Sequence, residues 1–458
     1  MNKTFLLLAA TWLAWPQGAL ADGDPLAEIA ELRQALAALR DDYATRIADL
    51  EDRLAAAEAR VAQAEDTAAA ARRTADEVAY APQPSVPSTP STFNPAIGAV
   101  LIGTYADVGL GEDDFAIPGF ILGGETGPGA DGLSLGESEI NFNANLDDKF
   151  HGNLTFALAD EEGEVAVELE EAWIQTLSLP NDFQLRAGRM FSGIGYINQF
   201  HRHADDFIDR PLPYQAFLAG QYLDDGVQLR WLAPTPWFLE LGGELMRGDK
   251  FPAAGAVDGA GAYSLFLKAG GDIGLSHSWK AGLSYLSADV AGRFAGEEEA
   301  EKGAKSGEVE GGPAFIGDSD LLALEFVYKW APDGNTRVRN FKLQGEFFDR
   351  EEDGLFDGLG YSGDQDGWYL QGLYQFRPGW RVGYRHDALS ADNRGVAGTP
   401  LDDEGFDPER DSILLEWSNS EFSRILLQYT RDRSTPLDDD QVYLRYIMSI
   451  GAHRAHQF

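Results

Sequence analysis

Between Ile97 and Gly451 apolar and polar residues alternate with a period of two, in about sixteen separate runs of roughly eight to fourteen residues each. In the run Glu139 to Leu146 the acid and the asparagines Asn141, Asn143 and Asn145 fall on one face, and Ile140, Phe142, Ala144 and Leu146 on the other. One face wants water and the other an apolar neighbour. A soluble sandwich and a membrane barrel both alternate this way, so the connections decide. Strands are expected near 97–108, 137–147, 149–160, 164–178, 182–190, 224–233, 236–248, 261–273, 276–289, 319–331, 336–349, 366–377, 379–388, 411–418, 421–431 and 440–451. Tight turns such as Asp147-Asp148, Gly274-Leu275 and Asn419-Ser420 alternate with long connections at 109–136, 191–223, 249–260, 290–318, 350–365, 389–410 and 432–439, with one short exception near Glu161 to Gly163. Outer-membrane barrels have short turns at one rim and long loops at the other, whereas a sandwich has no reason to alternate so regularly. The expected fold class is all-β, a 16-stranded antiparallel transmembrane β-barrel with an N-terminal α-helical coiled coil.

The coiled coil is read from residues 22–80, where Ile29, Leu32, Leu36, Leu39, Tyr43, Ile47, Leu50, Leu54, Ala57 and Val61 follow a spacing of three and four with charge between them. The four-residue step from Tyr43 to Ile47 is a stutter. Such a seam implies further copies of the chain. Residues 1–21 carry Lys3, an apolar run from Thr4 to Trp15, Pro16 and then Ala19-Leu20-Ala21, the pattern of a secretory signal cleaved before Asp22. Residues 81–95 hold Pro82, Pro84, Pro87, Pro90 and Pro95 and read as an extended linker, which leaves 96–458 for the barrel. With an even strand count, coiled coil and C-terminus share the periplasmic side of an outer membrane in a Gram-negative bacterium. Aromatic residues near run ends, Trp237, Trp330, Trp368, Phe376, Trp380 and Trp417, fit interfacial girdles.

The formal net charge of −39 excludes the basic footprint that nucleic acid requires. The acids concentrate between the alternating runs, as in Glu297 to Glu301, Glu351 to Asp353, Asp402 to Glu404 and Asp438 to Asp440, where they read as solvated loops. The chain has no cysteine, hence no thiolate metal site and no thiol nucleophile, and the abundant acid pairs of its connections are uninformative as catalytic groups, so an enzyme finds little support.

The connection 191–223 is long and free of acidic low complexity, and a loop of that length in a compact fold usually has a task. Folded inward, it would narrow a sixteen-stranded lumen. It carries Asp205, Asp206 and Asp209 beside Arg202 and Arg210. The alternation places Arg186, Arg230, Arg381, Arg385, Arg424 and Arg445 on the lumen face, because a charge facing lipid costs about 2–4 kcal/mol at mid-membrane. Acidic loop and basic wall would either set up a field across the constriction or pair locally and brace the loop. Four of the seven histidines lie in two short pairs, His201/His203 and His453/His456. Imidazole next to carboxylate suits Zn(II). The two pairs are expected at different heights, so zinc at one or the other would be a separate site.

Gly188-Arg189, Gly193, Phe207-Ile208-Asp209-Arg210-Pro211-Leu212-Pro213, Ala216-Phe217, Gly220 and Asp225-Gly226-Val227-Gln228-Leu229 together resemble the phosphate-selective porin O and P family. That resemblance implies a trimer of 16-stranded barrels with an inward constriction loop, and hence passive diffusion of small polar or ionic solutes. Phosphate selectivity is not implied, since the basic loop run is missing and the net charge has the opposite sign. The terminal Phe458 is similar to the aromatic end that the barrel assembly machinery recognises, although the last strand stops before the tail. The chain also looks like proteins described as zinc-regulated outer-membrane receptors, which raises metal uptake as an alternative; the plug and strand count of TonB-dependent receptors do not fit. A third reading is a tether: fifty helical residues at about 1.5 Å each reach roughly 75 Å, enough to link the outer membrane to the cell wall.

Overall fold

The computed structural model describes residues 95–451 except 112–114, 124–125, 162–163, 256–258 and 295–313, together with six residues between 34 and 48. Those six, Gln34, Ala37, Arg40, Asp41, Ala44 and Ala48, are helical and exposed. The signal sequence, all of the coiled-coil seam, the linker before Pro95 and the tail with His453, His456 and Phe458 lie outside the described residues. The chain divides into a unit of residues 1–92 and a unit of residues 93–458.

The second unit is one closed sheet. Its long strands are β1 (Ala96–Asp107), β2 (Ser138–Asn145), β3 (Phe150–Glu161), β4 (Glu164–Thr176), β5 (Phe183–Phe191), β6 (Leu223–Leu232), β7 (Phe238–Met246), β8 (Ala262–Ile273), β9 (His277–Phe294), β10 (Ala314–Trp330), β11 (Asn340–Phe356), β12 (Leu359–Arg377), β13 (Trp380–Arg394), β14 (Glu409–Ser420), β15 (Ser423–Arg433) and β16 (Asp439–Gly451). Each pairs antiparallel with the next, and β1 closes the ring by pairing with β16 from Gly98 opposite Gly451 to Asp107 opposite Val442. A three-residue strand, Gly132–Ser134, adds to β1 inside the first long connection. Sixteen long strands in a closed antiparallel ring agree with the period-two reading.

Closure leaves no edge, and alternation sorts the two faces. Outward side chains form an apolar belt: Phe183, Trp231, Leu241, Leu267, Leu283, Leu324, Phe347 and Trp368 stand in cross-strand register on eight consecutive strands. Trp237, Phe238, Phe376 and Trp417 are exposed at the turn end, where Trp380 and Trp417 stack with centroids 6.0 Å apart, as in an interfacial girdle. On the inner face Asn141 donates to Asn153 Oδ1 (2.9 Å) and Thr155 Oγ1 (2.7 Å), so the polar residues of the first alternating run bond one another around the lumen. Leu324, flanked by Leu283 and Phe347, sits in the middle of the belt. Leu324→Arg should therefore destabilise folding into lipid vesicles by about 2–4 kcal/mol, read from urea-dependent unfolding.

The connection expected at 350–365 is not a loop. Strands β11 and β12 run on to a two-residue turn, Asp357-Gly358, with both φ angles positive (50° and 75°). This Asp-Gly geometry matches the twist of paired strands. The acidic run was read as loop, yet it keeps the alternation: Glu352 points inward to the Arg293 guanidinium, while Glu351 and Asp353 are exposed. Strands β9 to β12 have 18, 17, 17 and 19 residues, against the roughly 9–11 that a bilayer needs. They rise beyond the belt on the loop side, and for the same reason the 290–318 and 389–410 connections begin later than expected, at 295 and 395.

Candidate functional site in the lumen

The connection from Ser192 to Tyr222, called L3 below, folds into the barrel. Its ends meet, Ser192 N–H donating to Tyr222 O (3.1 Å), and its middle forms the helix α1 (Leu212–Leu218), every residue of which is buried. Pro213 in the first turn of α1 costs no intrahelical bond, and the helix stops at Ala219 and Gly220, both left-handed (φ 48° and 80°). The apolar face of L3, with Ile194, Tyr214, Phe217 and Leu218, packs on inward Phe348, Tyr369 and Leu389 and on Phe120 from the first long connection. Phe120 and Phe217 meet edge to face at 5.9 Å.

A loop buried this way must satisfy its backbone, and the wall provides the partners. Glu244 on β7 accepts from Gly193 N–H (2.7 Å), Ser192 Oγ and Gln228 Nε2. Glu346 on β11 accepts from Tyr196 N–H (2.7 Å) and the Tyr214 hydroxyl (3.0 Å). Gly195 lies between them with φ 64°, and a Cβ there would stand 2.7 Å from the Glu346 carboxylate, so the position needs glycine. Lys268 on β8 donates to Gly195 O (2.7 Å) and pairs with Glu325 (3.2 Å). Asp387 accepts from Leu212 N–H at the start of α1, and Arg350 donates to Ala216 O near its end. None of these carboxylates was singled out from sequence, although each stands at an inward position among apolar neighbours, as in Leu241-Gly242-Gly243-Glu244-Leu245-Met246.

The six arginines assigned to the wall all sit on inward positions, and four of them hold L3. Arg381 pairs with Asp206 (3.1 Å) and Glu416; Arg385 pairs with Asp209 (2.8 Å) and donates to its carbonyl (2.8 Å). Arg424 donates to the carbonyls of Asp205 (2.9 Å) and His203, and Arg445 to that of Ile208 (2.8 Å). Arg186 instead bonds Gln175 (2.7 Å) over the Trp173 ring, and Arg230 bonds Gln228 (2.6 Å), away from the loop acids. Lys342 adds a second cation to Asp206 (2.8 Å), and Arg410 a second to Asp209 (3.0 Å). Asp205 pairs with Arg210 (2.7 Å), and Arg202 with Glu137 (3.3 Å). Acidic loop and basic wall are thus in contact, the local pairing given above as the alternative to a field across the constriction. Burial would raise the Asp206 carboxyl, but Lys342 and Arg381 more than reverse this and hold it well below the usual carboxylate range. It carries its charge at neutral pH.

From the turn side a cavity of about 1420 Å³ leads up to L3. Its walls include Lys342, Arg381, Arg385 and Arg424, with Asp206 and Asp209 at its end. Beside it, His201 and His203 stack at 5.5 Å and face Glu139 on β2 and Glu170 and Glu171 on β4. Burial would lower the His201 ring, but Glu139 and Glu170 outweigh it and hold the ring well above the usual histidine value. The other expected pair, His453 and His456, lies outside the described residues.

No protein-family model matches the chain. A protein of Aquifex aeolicus (strain VF5), described as uncharacterized, is 27% identical over 353 residues, 71% of this chain and 70% of that one. Among solved structures the chain is similar to the outer membrane channel DcaP of Acinetobacter baumannii, with 12% identity, 78% of this chain and 96% of the other covered, and a TM-score of 0.49. It is also similar to the anion-selective porin from Comamonas acidovorans, at 11% identity, 78% and 99% coverage and a TM-score of 0.48. OmpT with loop L8 deleted, an outer membrane protein of Vibrio cholerae, gives 12%, 78% and 99%, and 0.49.

Proposed function

We propose that the chain is an outer-membrane diffusion channel for small polar or ionic solutes, in which L3 sets the width of the lumen. The observation that carries this reading is a closed barrel with an apolar outer belt and a cavity of about 1420 Å³, reached by Lys342, Arg381, Arg385 and Arg424, that ends on an inward loop latched by wall charges. A tether or a plain anchor would have no use for L3, whose burial consumes inward charged groups on seven strands from β7 to β16. The pairs Asp206 with Lys342 and Arg381, and Asp209 with Arg385 and Arg410, are the proposed selectivity elements. Assembly as a trimer, export by the N-terminal signal, insertion by the barrel assembly machinery and membership of the phosphate-selective porin O and P family belong to the same proposal, supported by the sequence patterns that suggested them. Liposomes containing the purified protein should swell in small sugars and amino acids at rates that fall with solute size. Equal swelling with and without the protein would count against a channel.

A further inference from the structure

We propose that His201, His203, Glu139 and Glu170 form a binding site for a divalent transition-metal ion, with Zn(II) the best match, that fastens L3 to strands β2 and β4. The site is a matter of local chemistry and stands or falls independently of the channel reading.

The geometry comes from three elements. One oxygen of Glu139 lies 3.1 Å from His201 Nδ1 and the other 3.0 Å from His203 Nδ1, so a single carboxylate bridges the two rings. His201 Nδ1 is at the same time 3.1 Å from Glu170. One N–H proton can point straight along only one of these two vectors, whereas a cation set among these atoms is shared by all of them. One ligand atom from each of Glu139, His201 and His203 already lies within 4.8 Å of the other two. In a tetrahedron with bonds of about 2.1 Å they would be roughly 3.4 Å apart, so a shift of about an ångström in the side chains completes the set.

The third element is a β-bulge. Thr155 pairs with Glu171 and Phe156 with Leu169, which leaves Glu170 as the extra residue. The bulge turns two consecutive acids toward the lumen, where Glu170 reaches Nδ1 of His201 and Glu171 reaches Nε2 (3.2 Å). Bulges re-aim side chains in this way beside functional sites. Glu171 also accepts from Trp173 Nε1 (2.9 Å) and Asn153 Nδ2 (3.2 Å), the outer hydrogen bonds that orient a carboxylate beside a ligated ring. Two imidazoles and two carboxylates make an N₂O₂ donor set of the kind zinc takes, whereas calcium and magnesium would take oxygen alone.

The test uses the full chain without a histidine tag, loaded with zinc alone and passed over a desalting column in weak chelator. The wild type is expected to retain one zinc per chain. His201→Ala/His203→Ala and Glu139→Gln should bind it more than about tenfold more weakly, while His453→Ala/His456→Ala keeps it. Equal retention by all four proteins, or loss only in the tail variant, overturns the proposal. Since the inward variants could fail to fold, the wild type alone is also examined by zinc K-edge X-ray absorption. Scattering from two imidazoles at about 2.0–2.1 Å supports the site, and a spectrum of oxygen ligands only refutes it.

Discussion

Excising residues 194–220 and joining Gly193 to Gln221 through a short Gly-Ser linker should raise the unit conductance severalfold. The ends of L3 already touch through the Ser192 to Tyr222 hydrogen bond, so a linker can close the gap without moving β5 or β6. The sheet is closed by backbone pairing that L3 does not enter, and the outer belt is untouched, so the barrel is expected to keep its heat-modifiable migration on a gel. The excision removes α1 and its contacts with Phe348, Tyr369 and Leu389, and with them the apolar plug from mid-lumen. Glu244, Glu346, Arg385 and Asp387 then face water, which solvates them at little cost. A folded barrel whose conductance equals that of the parent would show that L3 does not set the width.

The second large effect is on selectivity, and it has opposite signs for two variants. Asp206 is ionised, and it pairs with both Lys342 and Arg381 at the end of the turn-side cavity. Asp206→Asn removes one negative charge beside Lys342 and Arg381, of which Arg381 keeps Glu416, so the reversal potential in a salt gradient should move toward anion preference. Lys342→Gln/Arg381→Gln removes the two cations and should move it toward cations. Removing a buried partner also costs roughly 1–3 kcal/mol, so both variants should be less stable than the parent, the double one more so because Asp206 loses both of its ion-pair partners. Shifts of the same sign in the two variants would mean that these charges brace the loop and do not sort ions.

Most of the barrel is legible from the chain because period two is a direct consequence of a wall with lipid on one side and water on the other. The error at 350–365 came from weighing composition above pattern. Acids suggested a loop, yet Arg350 and Glu352 keep to the inward positions, and Asp357-Gly358 is itself a hairpin signal. The wall arginines were legible for a similar reason. The carboxylates that seat L3 were not, because only basic residues were followed along the inward face; Glu244, Glu346 and Asp387 occupy the same face and could have been found by the same rule. Glu170 and Glu171 carry a further signal. Val167 and Leu169 face outward on odd positions and Ile174 on an even one, so the chain must change phase between them, and the bulge is where it does. What no periodicity can give is the seat of L3, since its partners lie between about thirty and two hundred and forty residues away in sequence.

The reading of this chain as a channel is tested most directly by single-channel recording of the purified wild-type protein in planar lipid bilayers. Discrete conductance steps that scale with salt concentration are the expected result. A protein that inserts, resists heat on a gel as a folded barrel, and passes no current either intact or with residues 194–220 excised would contradict it.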